Sequence, residues 1–318
     1  MNTKNIPIYN LDPICTFEES SKYTGLYPTD KDYSLVIRDD CDAYKENGEP
    51  LFFYRKNRIP ADICKSAYTN LRKAADWTEN RGMAAGPLTN KDLTPKSSGR
   101  EEVRHDKYSE TRFKRVKKDG TLSRVYQSKK VQSGIAGYFD RNARRPYCRQ
   151  TAFTEHNREE FLESIPYLQG INSLFAQACP ERYEAQEKYA ALTNKDFLIS
   201  GTVFTTITVN RNFQTAYHTD AGDLRVGLGN IAVLKAGKYE GGYTVMPRYD
   251  CAFDLGSGDV CFFDVHEYHG NTKILAKAPY ERISVVCYYR ENMADCGSMA
   301  EELHRVKNRK EGDSIGNQ

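Results

Sequence analysis

No run of apolar residues in this chain approaches the roughly 18 that a membrane-spanning helix needs, which excludes a helical membrane span. The first residues, MNTKNIPIYNLDPIC, lack the basic stretch followed by an apolar stretch that marks a secretory signal, so none is expected. No CxxC occurs among the nine cysteines, which are odd in number and scattered from Cys15 to Cys296. That absence argues against a disulfide framework or a structural zinc knuckle. It leads to the expectation of reduced thiols in a cytosol-like compartment of the host cell, or its nucleus if the host is eukaryotic. Net charge is nearly lacking too: +3 suggests no partner by itself. What remains is 318 residues, 39% hydrophobic and 28% charged, enough for a sizeable core under a polar surface.

The charge is unevenly placed. Residues 91–150 carry 17 Lys and Arg against 7 Asp and Glu, an excess of +10 that leaves the rest of the chain at −7. The centre of that stretch is poor in aliphatic residues and has little periodicity, so it reads as an extended or hairpin-like surface segment. Two uses fit it: a solvated insertion, or a phosphate-contacting arm built on Lys114, Arg115, Lys117 and Lys118 beside Phe113 and Tyr126.

Residues 1–60 are irregular in pattern, with short strand-like pieces such as Tyr33–Arg38 and Leu51–Tyr54. The spacing of Ile63, Ala67, Leu71 and Ala74 predicts a helix over 59–77, with Pro60 in its first turn. A Gly-, Pro- and Ser-rich linker follows over 82–99. Residues 158–190 form the clearest helical region, with Phe161, Ile165, Leu168, Ile171, Leu174 and Phe175 on one stripe, interrupted at Pro166 and ended near Pro180. From 197 to 289 the texture changes to short β-rich runs such as GTVFTTITV, NIAVL, DVCFFDV and RISVVCYY, split by Gly, Asp and Asn. Runs of that length predict an antiparallel sandwich or small barrel, with the helices outside its sheet: an α+β protein. The expected division is an extension over 1–130, a β domain with its helical support over 131–296, and a polar tail over 297–318.

Only six histidines are present, and His218, His266 and His269 fall within the β-rich half. In an extended strand residues i and i+2 face one side, so His218 and Asp220 can point together into a barrel mouth. A third ligand from the run Asp264-Val265-His266-Glu267-Tyr268-His269 would complete two imidazoles and a carboxylate on one face, the arrangement of non-haem Fe(II) oxygenases. Both His266 and His269 are candidates. Downstream, alternation puts Arg282 and Ser284 on one strand face and Ile283 and Val285 on the other, so a cation and a hydroxyl can clamp a carboxylate. Pairing of Arg282 with a neighbouring acid on an exposed face is the plainer alternative.

Several motifs occur in a fixed order: Gly137-Tyr138-Phe139-Asp140-Arg141, PYCRQTAF from Pro146, TVFTTITVNRNFQTAYHTDAGD over 202–223, Gly241-Gly242-Tyr243-Thr244, DVHEYHGNT from Asp264 and RISVVCYYRE from Arg282. Together, over about 134–291, they resemble the TET/JBP family of 2-oxoglutarate- and Fe(II)-dependent DNA dioxygenases, most nearly its thymine-hydroxylase-like branch of viruses and kinetoplastids. Residues 1–130 match no family motif. The resemblance implies a double-stranded β-helix (jelly-roll) core, with Fe(II) held by His218, Asp220 and His269. His269 is preferred to His266 because the metal histidine of this superfamily follows a strand ending in two aromatics by about six residues. It further implies 2-oxoglutarate on Arg282 and Ser284, dioxygen as cosubstrate, and Gly241-Gly242 at a turn of close backbone approach.

A DNA substrate would have to be single-stranded or present a flipped base. For that base Tyr217, Phe213 and Tyr243 are available aromatics, and Asp223, three residues past Asp220, is a candidate reader. An ionised Asp223 is acceptor-only and suits the N3–H of thymine, though it could also take the N4 amino group of cytosine. Capping of the turn 220–223 is its bland role. The implied reaction is hydroxylation of a pyrimidine 5-methyl group, thymine to 5-hydroxymethyluracil before 5-methylcytosine. Two alternatives are the same chemistry on a free nucleotide, amino acid or protein side chain, and a non-catalytic nucleic-acid-binding barrel.

Overall fold

A computed structural model describes residues 6–88, 103–106, 109–116, 121–142, 145–220 and 222–308, the stretches 103–106, 109–116 and 122–126 by their backbone alone. Along Gly229–Ala236 the side chains alternate between two cores, Ile231 and Val233 entering one and Ala232 and Leu234 the other. Its neighbours repeat the pattern: Cys261 and Phe263 against Val260 and Phe262, and Ile283, Val285 and Cys287 all on the second side. A sheet with apolar residues on both faces must be covered on both.

That sheet has ten strands. Nine run in the order Ile8–Leu11, Cys41–Lys45, Pro50–Arg55, Val260–Phe263, Gly229–Ala236, Glu281–Tyr288, Thr206–Arg211, Val131–Phe139, Arg149–Gln150, and Trp77–Thr78 joins Val131–Phe139. One face is covered by the helices Ala61–Leu71, Arg158–Ala178 and Pro180–Leu192. Phe175 stacks on Phe262 there, centroids 5.3 Å apart. The other face packs on a four-stranded sheet, ordered Gly270–Asn271, Thr244–Met246, Cys251–Phe253, Leu35–Ile37, with Phe52 against Phe253 at 4.7 Å. The two sheets make the double-stranded β-helix, antiparallel except where Ile8–Leu11 meets Cys41–Lys45 and Leu35–Ile37 meets Cys251–Phe253.

Several expectations change in detail. The helix predicted over 59–77 ends earlier: a 3₁₀ turn, Arg72–Ala74, follows Leu71, and Trp77–Thr78 is already strand. Pro166 does not interrupt Arg158–Ala178, because it sits on the exposed side of that helix, where the carbonyl it leaves unpaired can meet water. The segment 1–130 is no mere extension, since it supplies strands to both sheets and shares their core. The tail 297–318 begins with a helix, Met299–Lys307, capped by Ser298 and Glu301 and anchored by buried Glu302, which pairs with Arg141. The basic stretch contributes a separate three-stranded sheet, Val103–Asp106, Ser109–Val116 and Leu122–Tyr126. Lys114 and Arg115 lie in its middle strand, and Lys117 and Lys118 lie outside the described residues.

The thiol expectation needs one correction. Seven cysteines are free, but Cys148 and Cys296 form a disulfide with their Cα atoms 5.8 Å apart. The partners are 148 residues apart in sequence, so no local spacing could announce them. The fold brings both into a small core with Phe197, Tyr289 and Met293.

Candidate functional site

At the end of Thr206–Arg211 the chain turns through Asn212, held at φ 48°, and runs back along the segment after Phe263. His218 and His269 exchange two backbone hydrogen bonds of 3.0 Å, the Asp220 N–H donates to the Val265 carbonyl at 3.0 Å, and the Asn271 N–H to the Thr215 carbonyl at 2.7 Å. The approach is close enough that a Cβ on Gly270 would lie 3.0 Å from the backbone of Thr215 and Ala216. This local zipper, and not a shared strand, sets His218, Asp220 and His269 face to face.

Their ligand atoms all lie within 4.8 Å of one another. His218 Nε2 is 3.5 Å and His269 Nε2 3.6 Å from the Asp220 carboxylate. Each imidazole is oriented from behind: His218 Nδ1 faces the Ala216 carbonyl at 2.8 Å, and His269 Nδ1 that of Glu267 at 3.0 Å. A carbonyl only accepts, so both Nδ1 atoms carry a proton and both Nε2 atoms point inward, the nitrogens through which neutral imidazoles would ligate a metal. Glu267 is itself buried and fixed by Arg248, Lys45 and Tyr249 through its carboxylate, at 2.8 to 3.1 Å. Burial, then the neighbouring His269, lowers the His218 pKa below its ordinary value. For His269 burial acts downward, but the hydrogen bond and charge of Asp220 outweigh it and raise the pKa. Burial alone would raise the Asp220 pKa, yet the two imidazoles draw it down to about 2. The result is a carboxylate and two neutral-capable nitrogens, a donor set that fits a divalent iron.

These three groups line a cavity of about 300 Å³ between the sheets. Ser284 lines it too, and Arg282 lies two residues further along the same strand face, only 3% exposed. Its Nη2 makes no hydrogen bond among the described residues, and burial pulls the guanidinium below its ordinary pKa. A buried, unpaired guanidinium nitrogen beside a serine fits a carboxylate that reaches in from the metal, as the far end of 2-oxoglutarate would. Gly242, at φ 71°, lets the backbone pass there, since a Cβ on it would come within 3.1 Å of Arg282 Nε.

Of the predicted substrate residues, Phe213 and Asp223 line the cavity. Burial, then Asp220, pushes the Asp223 carboxyl well above the usual range, in contrast to the ionised form assumed from sequence. Tyr217 and Tyr243 are not brought to the cavity. Each precedes a residue that points inward, His218 and Thr244, so each points outward, into a cluster with Tyr23 and Tyr33. His266 is not in the triad either; its N–H caps Asp264 at 3.0 Å. Among the lining residues that sequence reasoning did not single out are Tyr288, Arg290 and, just before the linker, Arg81. Tyr288 was available from the alternation that places Arg282, Ser284 and Val286. Arg81 carried no signal, because it reaches the site only through the fold, donating to the Gly134 carbonyl at 3.3 Å.

The family model described as the oxygenase domain of the 2OGFeDO superfamily matches residues 134–291. These residues are a Tet/JBP oxygenase domain. Among curated relatives, the bifunctional helicase and thymine dioxygenase JBP2 of Trypanosoma cruzi is 39% identical over 272 residues, 84% of this chain and 21% of that protein. JBP2 of Leishmania tarentolae is 39% identical over 164 residues, 51% of this chain and 15% of that protein. Thymine dioxygenase JBP1 of Trypanosoma brucei brucei is 35% identical over 201 residues, 62% of this chain and 24% of that protein. The chain thus spans a quarter or less of the length of these Tet/JBP relatives. Among solved structures, NgTET1 in complex with 5mC DNA superposes with a TM-score of 0.56 at 13% identity, covering 96% of this chain and 92% of that one. The Tet/JBP fold therefore takes in the segment before residue 134 as well.

Proposed function

We propose that this chain hydroxylates the 5-methyl group of thymine in DNA, using Fe(II), 2-oxoglutarate and dioxygen. The observation that carries the reading is the three convergent ligand atoms in a cavity that also holds Ser284, with the buried, unpaired Nη2 of Arg282 two residues further along the same strand face. The thymine dioxygenase relatives support the choice of substrate. When bound, iron with its cosubstrates supplies the oxidant for an unactivated C–H bond. The protein's own residues do the rest. His218, Asp220 and His269 hold the metal, while Arg282 and Ser284 hold the far carboxylate of the cosubstrate and so fix its direction. A cavity of about 300 Å³ admits a base but not a duplex, so the methyl group arrives on a flipped or single-stranded nucleotide. Phe213, Tyr288, Asp223 and Arg290 are the lining residues that such a base would meet.

The test is mass spectrometry of nucleosides from thymine-containing DNA after incubation with the full chain, Fe(II), 2-oxoglutarate and ascorbate. The expected product is 5-hydroxymethyluracil, absent with Asp220→Ala. DNA carrying 5-methylcytosine, run in parallel, reports the other methylpyrimidine. Succinate release without any oxidised base, while a free nucleotide or a peptide is hydroxylated, would replace DNA as the substrate.

A further inference from the structure

Arg290 lines the cavity, and its Nε donates to the Asp140 carboxylate at 2.8 Å. Asn292 Nδ2 donates to the other oxygen of that carboxylate at 3.3 Å, so buried Asp140 is fully engaged. Arg149 comes to the same place from the neighbouring strand. The guanidinium groups of Arg149 and Arg290 both lie over the Phe139 ring, 4.8 and 5.3 Å from its centroid. Yet Arg149 donates only to carbonyls, those of Asp140 at 3.2 Å and Tyr147 at 3.4 Å. Exposed Arg145 adds a third positive charge close enough to act on Arg149, whose pKa is lowered by burial first and by Arg145 next. Among the described residues neither Arg145 nor Arg149 has a carboxylate partner, and the Asp140 carboxylate is taken by Arg290.

Gathering like charges on a half-buried surface costs free energy unless an anion completes the cluster. The backbone that carries it is also held in advance. Residues 142 and 145 pair with each other, the Cys148 N–H donates to buried Glu302 at 2.8 Å, and the disulfide joins Cys148 to Cys296. We infer that Arg145 and Arg149, joined to the cavity's rim by Arg290 over the shared Phe139 ring, form a phosphate site that grips the DNA backbone beside the nucleotide whose base enters. This deepens the proposed function and rests on it. Phosphate contacts position a strand without reading it, which is what a cavity that reads a single base requires of its rim.

The experiment measures binding of a fluorescein-labelled single-stranded oligonucleotide with one thymine to the full chain, kept anaerobic with Fe(II) and 2-oxoglutarate. The linkages on either side of the thymine are replaced in turn by neutral methylphosphonate. We expect one replacement to weaken binding roughly tenfold, as the loss of a hydrogen bond to a charged group does. Arg149→Gln should weaken binding by a similar factor, lower the salt slope by about 0.7, and lose no more when combined with that linkage. Arg149→Lys should recover part of the loss, and Arg145→Gln, at an exposed position, should weaken binding without any risk to folding. Unchanged affinity, salt slope and linkage sensitivity in both Gln variants would overturn the site. So would thymidine monophosphate competing as tightly as the oligonucleotide, since the phosphate would then belong to a free nucleotide. Admitting air to the same samples separates the two readings. Thymine oxidised with variants binding unchanged removes only the phosphate site; the linkage pattern without oxidation removes only the proposed activity.

Discussion

At the scale of single residues the site depends on lone pairs that are aimed before any metal arrives. Because the His269 imidazole is held by the Glu267 carbonyl among the three convergent ligand groups while that of His266 lies outside them, the two histidines should separate sharply on substitution. His269→Ala should abolish 2-oxoglutarate turnover and weaken Fe(II) binding, measured by calorimetry, whereas His266→Ala should keep a measurable fraction of both. Arg282 should act on the cosubstrate and not on DNA. Arg282→Ala removes the buried counter-charge proposed for the cosubstrate carboxylate, a loss of about 2–5 kcal/mol. The apparent affinity for 2-oxoglutarate should therefore collapse while oligonucleotide affinity holds. Equal losses in both would point to misfolding. Scarce histidine narrowed the ligands in sequence to His218 with His266 or His269, and the family resemblance chose His269 and gave Arg282 its role; the structure groups His218, Asp220 and His269. Tyr217 and Tyr243 were misplaced because aromatics are plentiful, 22 Tyr and 14 Phe, so their presence near a motif carries little information about direction.

The strand Glu281–Tyr288 shows what an element adds to its residues. Period-two alternation gives it one face for the helices and one for the cavity, so the same eight residues build a core and a site. That face could be written from sequence; its length could not, because where pairing ends depends on Gly229–Ala236 and Thr206–Arg211 beside it. The helix Arg158–Ala178 is the reverse case: its apolar stripe was plain, but whether Pro166 breaks it depended on which side met solvent. Its packing gives a stability prediction. Phe262→Ala removes the ring stacked under Phe175 and should cost about 3–5 kcal/mol in denaturant unfolding, with no direct effect on the ligands, which lie across the sheet. A loss below about 1 kcal/mol would mean that this core is looser than described.

For the whole molecule the least legible features were those joining distant parts of the chain. The Cys148–Cys296 bond is one, closing a loop over 148 residues of sequence separation. Reduction, or Cys148→Ala with Cys296→Ala, should lower stability by about 2–5 kcal/mol, read as a drop in melting temperature. No change would show that the thiols are unpaired in solution. The participation of residues 35–55 in both sheets is another. Nothing local in that irregular stretch announces its partners, since Leu35–Ile37 finds Cys251–Phe253 and Pro50–Arg55 finds Val260–Phe263 across more than half the chain.

This last pairing sets where the protein can be cut. A fragment beginning at residue 134 would carry His218, Asp220, His269 and Arg282, and by its family match would look self-sufficient. It would also strip Pro50–Arg55 from Val260–Phe263 and Leu35–Ile37 from Cys251–Phe253, leaving two bare, apolar strand edges. Unpaired edges of that kind recruit one another. Expressed alone, the fragment should form insoluble or polydisperse material by light scattering, and co-expression of residues 1–130 as a separate chain should restore a discrete species.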